Sequence, residues 1–252
     1  MSGEEKTPFA GSPLGRPGDP ASTASEVKRM FAHVAPRYDF LNHLLSAGSD
    51  LLWRRAAARA LADVLTRPQS SVADLCCGTG DLSLALARRS AGRVIGADFC
   101  RPMLVRAKEK SAGFKRVQFI EADALRLPFS DGAFDAVTIA FGLRNLADYR
   151  RGLEEMHRIL KPRGRVAILE FSKVRGILAG PLFRFYFRRI LPRVGFCISR
   201  AAGSYQYLPN SVERFPDQES LVALMGEAGF ARVRYRNLSR GVAALHVGEK
   251  AG

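Results

Sequence analysis

The residues best suited to chemistry in this chain are a glycine turn and the carboxylates that surround it. Asp74-Leu-Cys-Cys-Gly-Thr-Gly-Asp81 follows a short apolar run that begins at Ser71, and the apolar-rich Leu82 to Ala87 follows at once. Strand, glycine turn, helix is an arrangement that brings a ligand against bare backbone at a helix N-terminus, where unpaired N–H groups point outward. Gly-x-Gly alone is equally an ordinary strand–helix turn. Two further runs add weight, because Val94-Ile-Gly-Ala-Asp98 and Phe119-Ile-Glu-Ala-Asp123 also end in acids. In a parallel sheet such endings lie side by side at the carboxyl edge, where nucleotide-like ligands bind. No metal centre is expected: the four cysteines show no Cys-x-x-Cys spacing, and His33, His43 and His157 do not form a ligand set. Cys76 and Cys77 read as small buried residues in a reducing compartment.

Hydrophobic spacing predicts the elements that must hold these groups. Thr23-Ala-Ser-Glu26 fits a capping box, Val27, Met30, Phe31 and Val34 recur at helical spacing, and Pro36 ends the pattern. Tyr38 to Leu45 and Leu51 to Leu65 are two more helices, the second with Trp53, Ala57, Ala60, Leu61 and Val64 on one stripe. Lying before the first strand, these helices either cap the ligand edge of the sheet or only complete the core. From Val72 onward, apolar strands alternate with helical patterns, including Phe134 to Phe141, a helix over Tyr149 to Leu160, and Arg165 to Phe171. Ala231 to Leu238 and Val242 to Glu249 are separated only by Ser239-Arg240-Gly241, which permits a hairpin and forbids a parallel crossover. The expected fold class is α/β, with a mostly parallel sheet, a C-terminal antiparallel hairpin and an N-terminal helical cap. Residues 1–22, rich in proline and glycine, read as a disordered tail, residues 23–68 as the cap and residues 69–252 as the sheet domain.

Composition narrows the partners. The 252 residues supply one large domain or a domain with a helical appendage, and 47% hydrophobic with 25% charged residues is ordinary for a soluble globular protein. The net charge of +15 predicts an anionic partner, nucleic acid or an acidic membrane surface, without choosing between them. No apolar stretch reaches the roughly 18 residues of a membrane-spanning helix, and the N-terminus lacks the apolar core of a signal peptide.

Further motifs carry a family resemblance. Asp74 to Asp81, Asp98, Glu121-Ala-Asp123, Leu127-Pro-Phe-Ser-Asp131, Phe134-Asp135 and Leu160-Lys-Pro-Arg-Gly164 resemble Rossmann-type methyltransferases that use S-adenosylmethionine (SAM). Phe141-Gly-Leu-Arg-Asn145, Leu169-Glu-Phe-Ser172, Tyr205-Gln-Tyr-Leu208, Phe215-Pro-Asp-Gln218 and Gly241-Val-Ala-Ala-Leu-His246 resemble, more narrowly, the ubiquinone/menaquinone biosynthesis C-methyltransferases. The likeness runs in order from about Val27 to Lys250 and makes residues 69–252 a methyltransferase domain. It implies SAM as cofactor, with Asp74, Gly78, Thr79 and Gly80 as binding positions. The glycine loop would face the methionine part, Asp98 would accept both ribose hydroxyls, and Asp123 and Ala124 would lie beside the adenine. The chain departs from the pattern at Cys76, often glycine, at Ala140, a cofactor-contacting serine in some relatives, and at Arg163, usually glycine. A nicotinamide dehydrogenase is a rival, since Gly78-Thr-Gly-Asp-Leu-Ser83 nearly fits Gly-x-Gly-x-x-Gly. Ser83 and the terminal hairpin count against it. A nucleic-acid methyltransferase would suit the charge, but neither an Asn-Pro-Pro-Tyr-like motif nor a cysteine nucleophile motif is present.

The resemblance implies C-methylation of a polyprenylated quinol, demethylmenaquinol to menaquinol, with the corresponding 2-polyprenyl-6-methoxy-1,4-benzoquinol step of ubiquinone biosynthesis as alternative. Ring methylation needs an electron-rich quinol, and phenols titrate near about 10, so the site should favour a developing phenolate. Arg144 is the candidate catalytic group, as an electrostatic stabiliser with a fixed fork of donors, or else a salt bridge or helix cap. Asn145 would position a quinol oxygen or cap the next helix. Glu170 would contact substrate or serve as a structural carboxylate. Tyr205 and Tyr207, alternating as on an extended segment, would wall the ring pocket or simply pack. His246 reads as a satisfied core histidine. Between Gly176 and Arg200, paired aromatic and aliphatic residues interleave with Arg184, Arg188, Arg189, Arg193 and Arg200 without an acid. Residues 176–200 are either a helical pair on the sheet or a lid and membrane-facing entry for the prenyl tail. The expected partners are the quinol and an anionic membrane touched peripherally, with no nucleic acid. A homodimer is compatible with the sequence, and the expected location is cytoplasmic, at the inner face of the plasma membrane.

Overall fold

A computed structural model describes residues 20–173 and 204–252. Residues 1–19 and the expected basic segment 176–200 lie outside the described residues. Helices α1 (Pro20–Val34), α2 (Tyr38–Leu45), α3 (Ser49–Ala60) and α4 (Ala62–Leu65) come first, with a single 3-10 turn at Ala35–Arg37 between α1 and α2. Strand β1 (Ser71–Leu75), α5 (Asp81–Ala87), β2 (Arg93–Asp98), α6 (Arg101–Lys110) and β3 (Val117–Glu121) follow. Next are β4 (Phe134–Ala140), a 3-10 turn at Leu143–Asn145, α7 (Tyr149–Ile159) and β5 (Leu160–Phe171). After the undescribed stretch come α8 (Ser204–Arg214), α9 (Gln218–Glu227), β6 (Phe230–Leu238) and β7 (Ala243–Lys250).

One seven-stranded sheet runs in the order β3-β2-β1-β4-β5-β7-β6. The first five strands pair in parallel, β5 pairs with β7 antiparallel, and β6 closes the edge as the other half of the hairpin. The α/β class, mostly parallel sheet and terminal hairpin follow from the sequence pattern. Strand β1 is buried at all five positions because helices cover both faces, as parallel sheets require. Alternation sorts the core: Val137, Ile139 and Ile168 pack with α7 and α9 on one face. Ala136, Ala167 and Leu169 pack with Trp53, Ala57 and Leu61 on the other. Trp53 also donates its Nε1 hydrogen to Ser239 Oγ at 2.9 Å, tying the helical cap to the hairpin turn.

Several local expectations are corrected. Helix α1 starts at Pro20, three residues before the predicted start, so Thr23 is a buried residue within the helix rather than its cap. The predicted helix Leu51–Leu65 breaks at Leu61, where φ is −109°, into α3 and α4. Strand β3 ends at Glu121, leaving Asp123 in a tight turn that bridges to Arg126. Tyr205 and Tyr207 stand in helix α8, not on an extended segment.

Candidate active site

The carboxyl ends of β1, β2 and β4 open into a cleft of about 730 Å³, roofed by Val27 and Phe31 of α1 and Tyr38 of α2. The turn after β1 is held open by left-handed glycines, with φ +55° at Gly78 and +85° at Gly80. Gly80 is also wedged, since a Cβ there would sit 3.0 Å from the Phe119 ring.

Asp98 faces this cleft at the end of β2 and is only 7% exposed. Its Oδ2 accepts the Gly78 N–H at 2.8 Å and its Oδ1 the Cys100 N–H at 2.8 Å. Burial pushes the carboxyl above its ordinary range while these backbone donors pull it back. The Phe99 N–H is a further donor to this carboxylate, which keeps acceptor capacity for a ligand hydroxyl. Asp123 and Ala124 border the same cleft, and Asp123 Oδ1 accepts Leu125 N–H at 2.9 Å to shape the turn.

Past Gly78 and Tyr38 the cleft continues into a polar recess of about 310 Å³ lined by Arg54, Asp74, Thr79 and Asp81. Asp74 accepts hydroxyl hydrogens from Ser83 at 2.6 Å and Thr138 at 2.8 Å, and burial pushes its carboxyl up to about 6. Arg54, 7% exposed, donates from Nη1 to Asp50 Oδ2 at 2.6 Å and stacks 5.4 Å from the Phe141 ring centre. The Thr79 hydroxyl donates to Asp39 of α2. Lys110 Nζ reaches Asp39 at 2.7 Å and Asp81 at 2.5 Å, so one ammonium ties the cap to the C-terminal end of the glycine loop. Among the described residues, His43, Asp50 and Asp81 are grouped closely enough to suggest a metal. The carboxylates of that group already face the protein's own cations, Arg54 and Lys110.

The candidate substrate residues are placed less uniformly. Arg144 and Glu170 are both buried and do not line the cleft. Arg144 Nη1 donates to Glu170 Oε2 at 2.9 Å and to the Phe141 carbonyl at 2.6 Å, and the Arg144 backbone N–H donates to Glu170 Oε1 at 3.2 Å. The guanidinium lies 5.2 Å from the Phe171 ring centre. Arg144, expected at the substrate, is thus paired with Glu170 in this structure. Burial pushes the Glu170 carboxyl up and Arg144 opposes it. Asn145 does line the cleft, with Nδ2 donating to the Phe141 carbonyl at 3.1 Å. Helix α7 is capped by Asp148, whose Oδ1 accepts the Arg151 N–H at 3.0 Å, and not by Asn145. The side chains of Tyr205 and Tyr207 lie outside the described residues. His246 is a core residue: its Nε2 meets the Gln218 carbonyl at 3.1 Å, and burial lowers its pKa to about 4.

Tyr38, Asp39, Arg54 and Lys110 are site residues that sequence inspection passes over. Each is a single charged or aromatic residue in a helix, Tyr38, Asp39 and Arg54 in the cap and Lys110 at the end of α6, brought to the glycine loop only by tertiary packing.

Comparison with known proteins supplies the context. The ubiE/COQ5 methyltransferase family matches residues 20–250. A demethylmenaquinone methyltransferase of Thermus thermophilus is 53% identical over 88% of this chain and 100% of its own length. The one from Deinococcus radiodurans is 48% identical over 92% and 96%. A SAM-dependent methyltransferase structure from Thermotoga maritima shares the fold, with TM-score 0.63 and 18% identity over 89% of this chain and 99% of that one. The family match spans nearly the whole described chain, the glycine loop and sheet agree with it, and the protein belongs to the ubiE/COQ5 family of SAM-dependent methyltransferases.

Proposed function

We propose that this methyltransferase adds a methyl group to a ring carbon of demethylmenaquinol, giving menaquinol. The Thermus and Deinococcus relatives carry that substrate in their names. The observation that carries the proposal is the division of the cleft into a charged recess at the glycine loop and a larger apolar chamber under α1 and α2.

The recess suits the amino-acid end of SAM. Arg54 would take its carboxylate, and Asp74 would sit across from its ammonium. Asp98 would accept the ribose hydroxyls, and Asp123 and Ala124 would border the adenine. When bound, SAM supplies a methyl group on a positively charged sulfur, which an electron-rich carbon can take directly. The apolar walls at Phe141, Leu146 and Ala147 then suit a flat ring and exclude water from it. Asn145 would orient a quinol oxygen. Arg144 acts as a positioning residue, holding the Phe141 carbonyl and the turn that presents Asn145. The ring carbon bonds to the methyl as the sulfur–carbon bond breaks, and the ring then releases its hydrogen as a proton.

Purified full-length protein, labelled SAM and demethylmenaquinone, assayed with and without dithionite, test this. Methyl transfer should appear only with the reduced ring. Full activity on the oxidised quinone would end the quinol mechanism, and preference for the reduced benzoquinone would move the enzyme to the ubiquinone step.

A further inference from the structure

The α2–α3 hairpin carries four large apolar side chains on its outer surface. Phe40 is 60% exposed, Leu44 47%, Leu51 40% and Leu52 61%. They are not scattered. Arg37, Phe40 and Leu44 are spaced by three and four residues and share one face of the 3-10 turn and α2. Leu52, Arg55 and Arg59 repeat that spacing on α3, with Leu51 one turn before Arg55. Each helix therefore reads apolar near the connecting turn and arginine about one turn further away. The two acids in this stretch are answered within the protein: Asp39, partly exposed, is held by Lys110 and Thr79, and Asp50 is buried and paired with Arg54.

The tip is also rigid. Gly48 turns the chain with φ +75°, and its N–H donates to the His43 carbonyl at 2.8 Å. Ser46 Oγ donates to Asp50 Oδ1 at 2.7 Å, while His43 Nδ1 meets Asp50 Oδ2 at 2.9 Å across the turn. This network fixes the loop beside four exposed apolar side chains. Tyr38, at the start of the same helix α2, lines the active-site cleft. Leu44 is six residues on, which is about 9 Å along a helix.

We infer that the α2–α3 tip docks this enzyme on an anionic bilayer, with Phe40, Leu44, Leu51 and Leu52 entering the interface and Arg37, Arg55 and Arg59 meeting the headgroups. Charge selects this occupant over the others. A second copy would bring two sets of the same three arginines together. The undescribed segment 176–200 holds five arginines and no acid, so it too is repelled. An acidic lipid surface complements the arginines and accepts the apolar tip. Docked there, the cleft mouth stands within about two helical turns of the tip residues. A prenylated ring could then enter while its tail stays in lipid. That consequence rests on the quinol proposal, whereas the docking does not.

Vesicle flotation of the full-length protein tests it, with phosphatidylcholine vesicles alone or containing phosphatidylglycerol. The wild type should float with the anionic vesicles and less so as salt rises. Phe40→Asp combined with Leu52→Asp should lower the bound fraction at least about tenfold at every salt concentration. Arg55→Gln combined with Arg59→Gln should lower it about fivefold to tenfold at low salt and flatten the salt dependence. These positions are exposed, so thermal midpoints should match the wild type. Methylation of a short-chain, water-soluble quinol should be unchanged, while turnover of a long-chain quinol in vesicles falls. Wild-type flotation by the tip variants would overturn the inference. So would binding lost only on changing Arg184, Arg188 and Arg189, or equal flotation with neutral vesicles. Loss of the short-chain activity in the wild type itself would strike the quinol proposal and leave the docking result standing.

Discussion

Strands β2 and β5 each bring a buried carboxylate near the carboxyl edge of the sheet, Asp98 and Glu170, and the two are held in different ways. Burial pushes both acids above the usual carboxylate range. At Asp98 the opposing donors are backbone N–H groups, those of Cys100, Gly78 and Phe99, and the carboxylate faces the cleft. At Glu170 they are Arg144 and the Phe171 N–H, and the Phe171 ring covers the pair. A carboxylate held by backbone keeps its charge available to a ligand, whereas one held by an arginine has that charge answered internally. Both are carboxylates near the carboxyl end of a strand, and what separates them is the source of the donors.

The sharpest way to break this contrast is to remove Arg144. Arg144→Ala leaves Glu170 buried without its cation and should cost about 3–5 kcal/mol of stability, read from denaturant midpoints. Arg144→Met with Glu170→Leu should recover most of that loss, because neither charge is then stranded. If Arg144→Ala instead melts like the wild type and lowers kcat a hundredfold at unchanged KM, Arg144 acts on the chemistry and the contrast fails. Arg144→Lys separates the two further: a point charge should restore part of the stability without restoring the fork to the Phe141 carbonyl.

Asp98→Ala should show the reverse profile. Cofactor affinity should fall by about 2–4 kcal/mol in calorimetry, since two hydroxyls lose a charged acceptor. Its stability loss should be smaller than that of Arg144→Ala. Unchanged SAM affinity would mean that the free face of Asp98 is not the ribose site.

Asp74 offers a finer test through pH. Its folded pKa of about 6 stands above the ordinary 3.8, so the folded protein keeps a proton that the unfolded chain has lost between those values. Its contribution to stability is therefore fullest below about pH 4 and declines as pH rises to about 6, by up to about 3 kcal/mol. Asp74→Asn, neutral throughout, should remove that decline while Ser83 and Thr138 keep a partner. Parallel stability curves for the two proteins from pH 4 to 7 would show that Asp74 does not titrate there.

The contrast also explains what the sequence could disclose. Asp98 was legible because a strand ending in an acid twenty residues after a glycine turn leaves that acid few other places to be. Glu170 was ambiguous because its partner lies 26 residues away and reaches it only through the parallel register of β4 and β5, Ala140 opposite Leu169. Asp39 and Lys110, 71 residues apart, carry no local signal at all. The strands were legible because both faces are apolar. The break at Leu61 was not, since Leu61 is fully buried and keeps the helical stripe unbroken on paper. Tyr205 and Tyr207 misled through their spacing of two, since the segment that carries them is helical.

The position of β7 has a bearing on how the protein is made. Residues emerge from the ribosome in order, yet this late strand does not end at an edge; it lies between β5 and β6. Until Ala243–Lys250 has been synthesised, β6 has no neighbour in the sheet, and β5 presents an unpaired side. A stop codon after Gly241 would therefore orphan two strands rather than trim one.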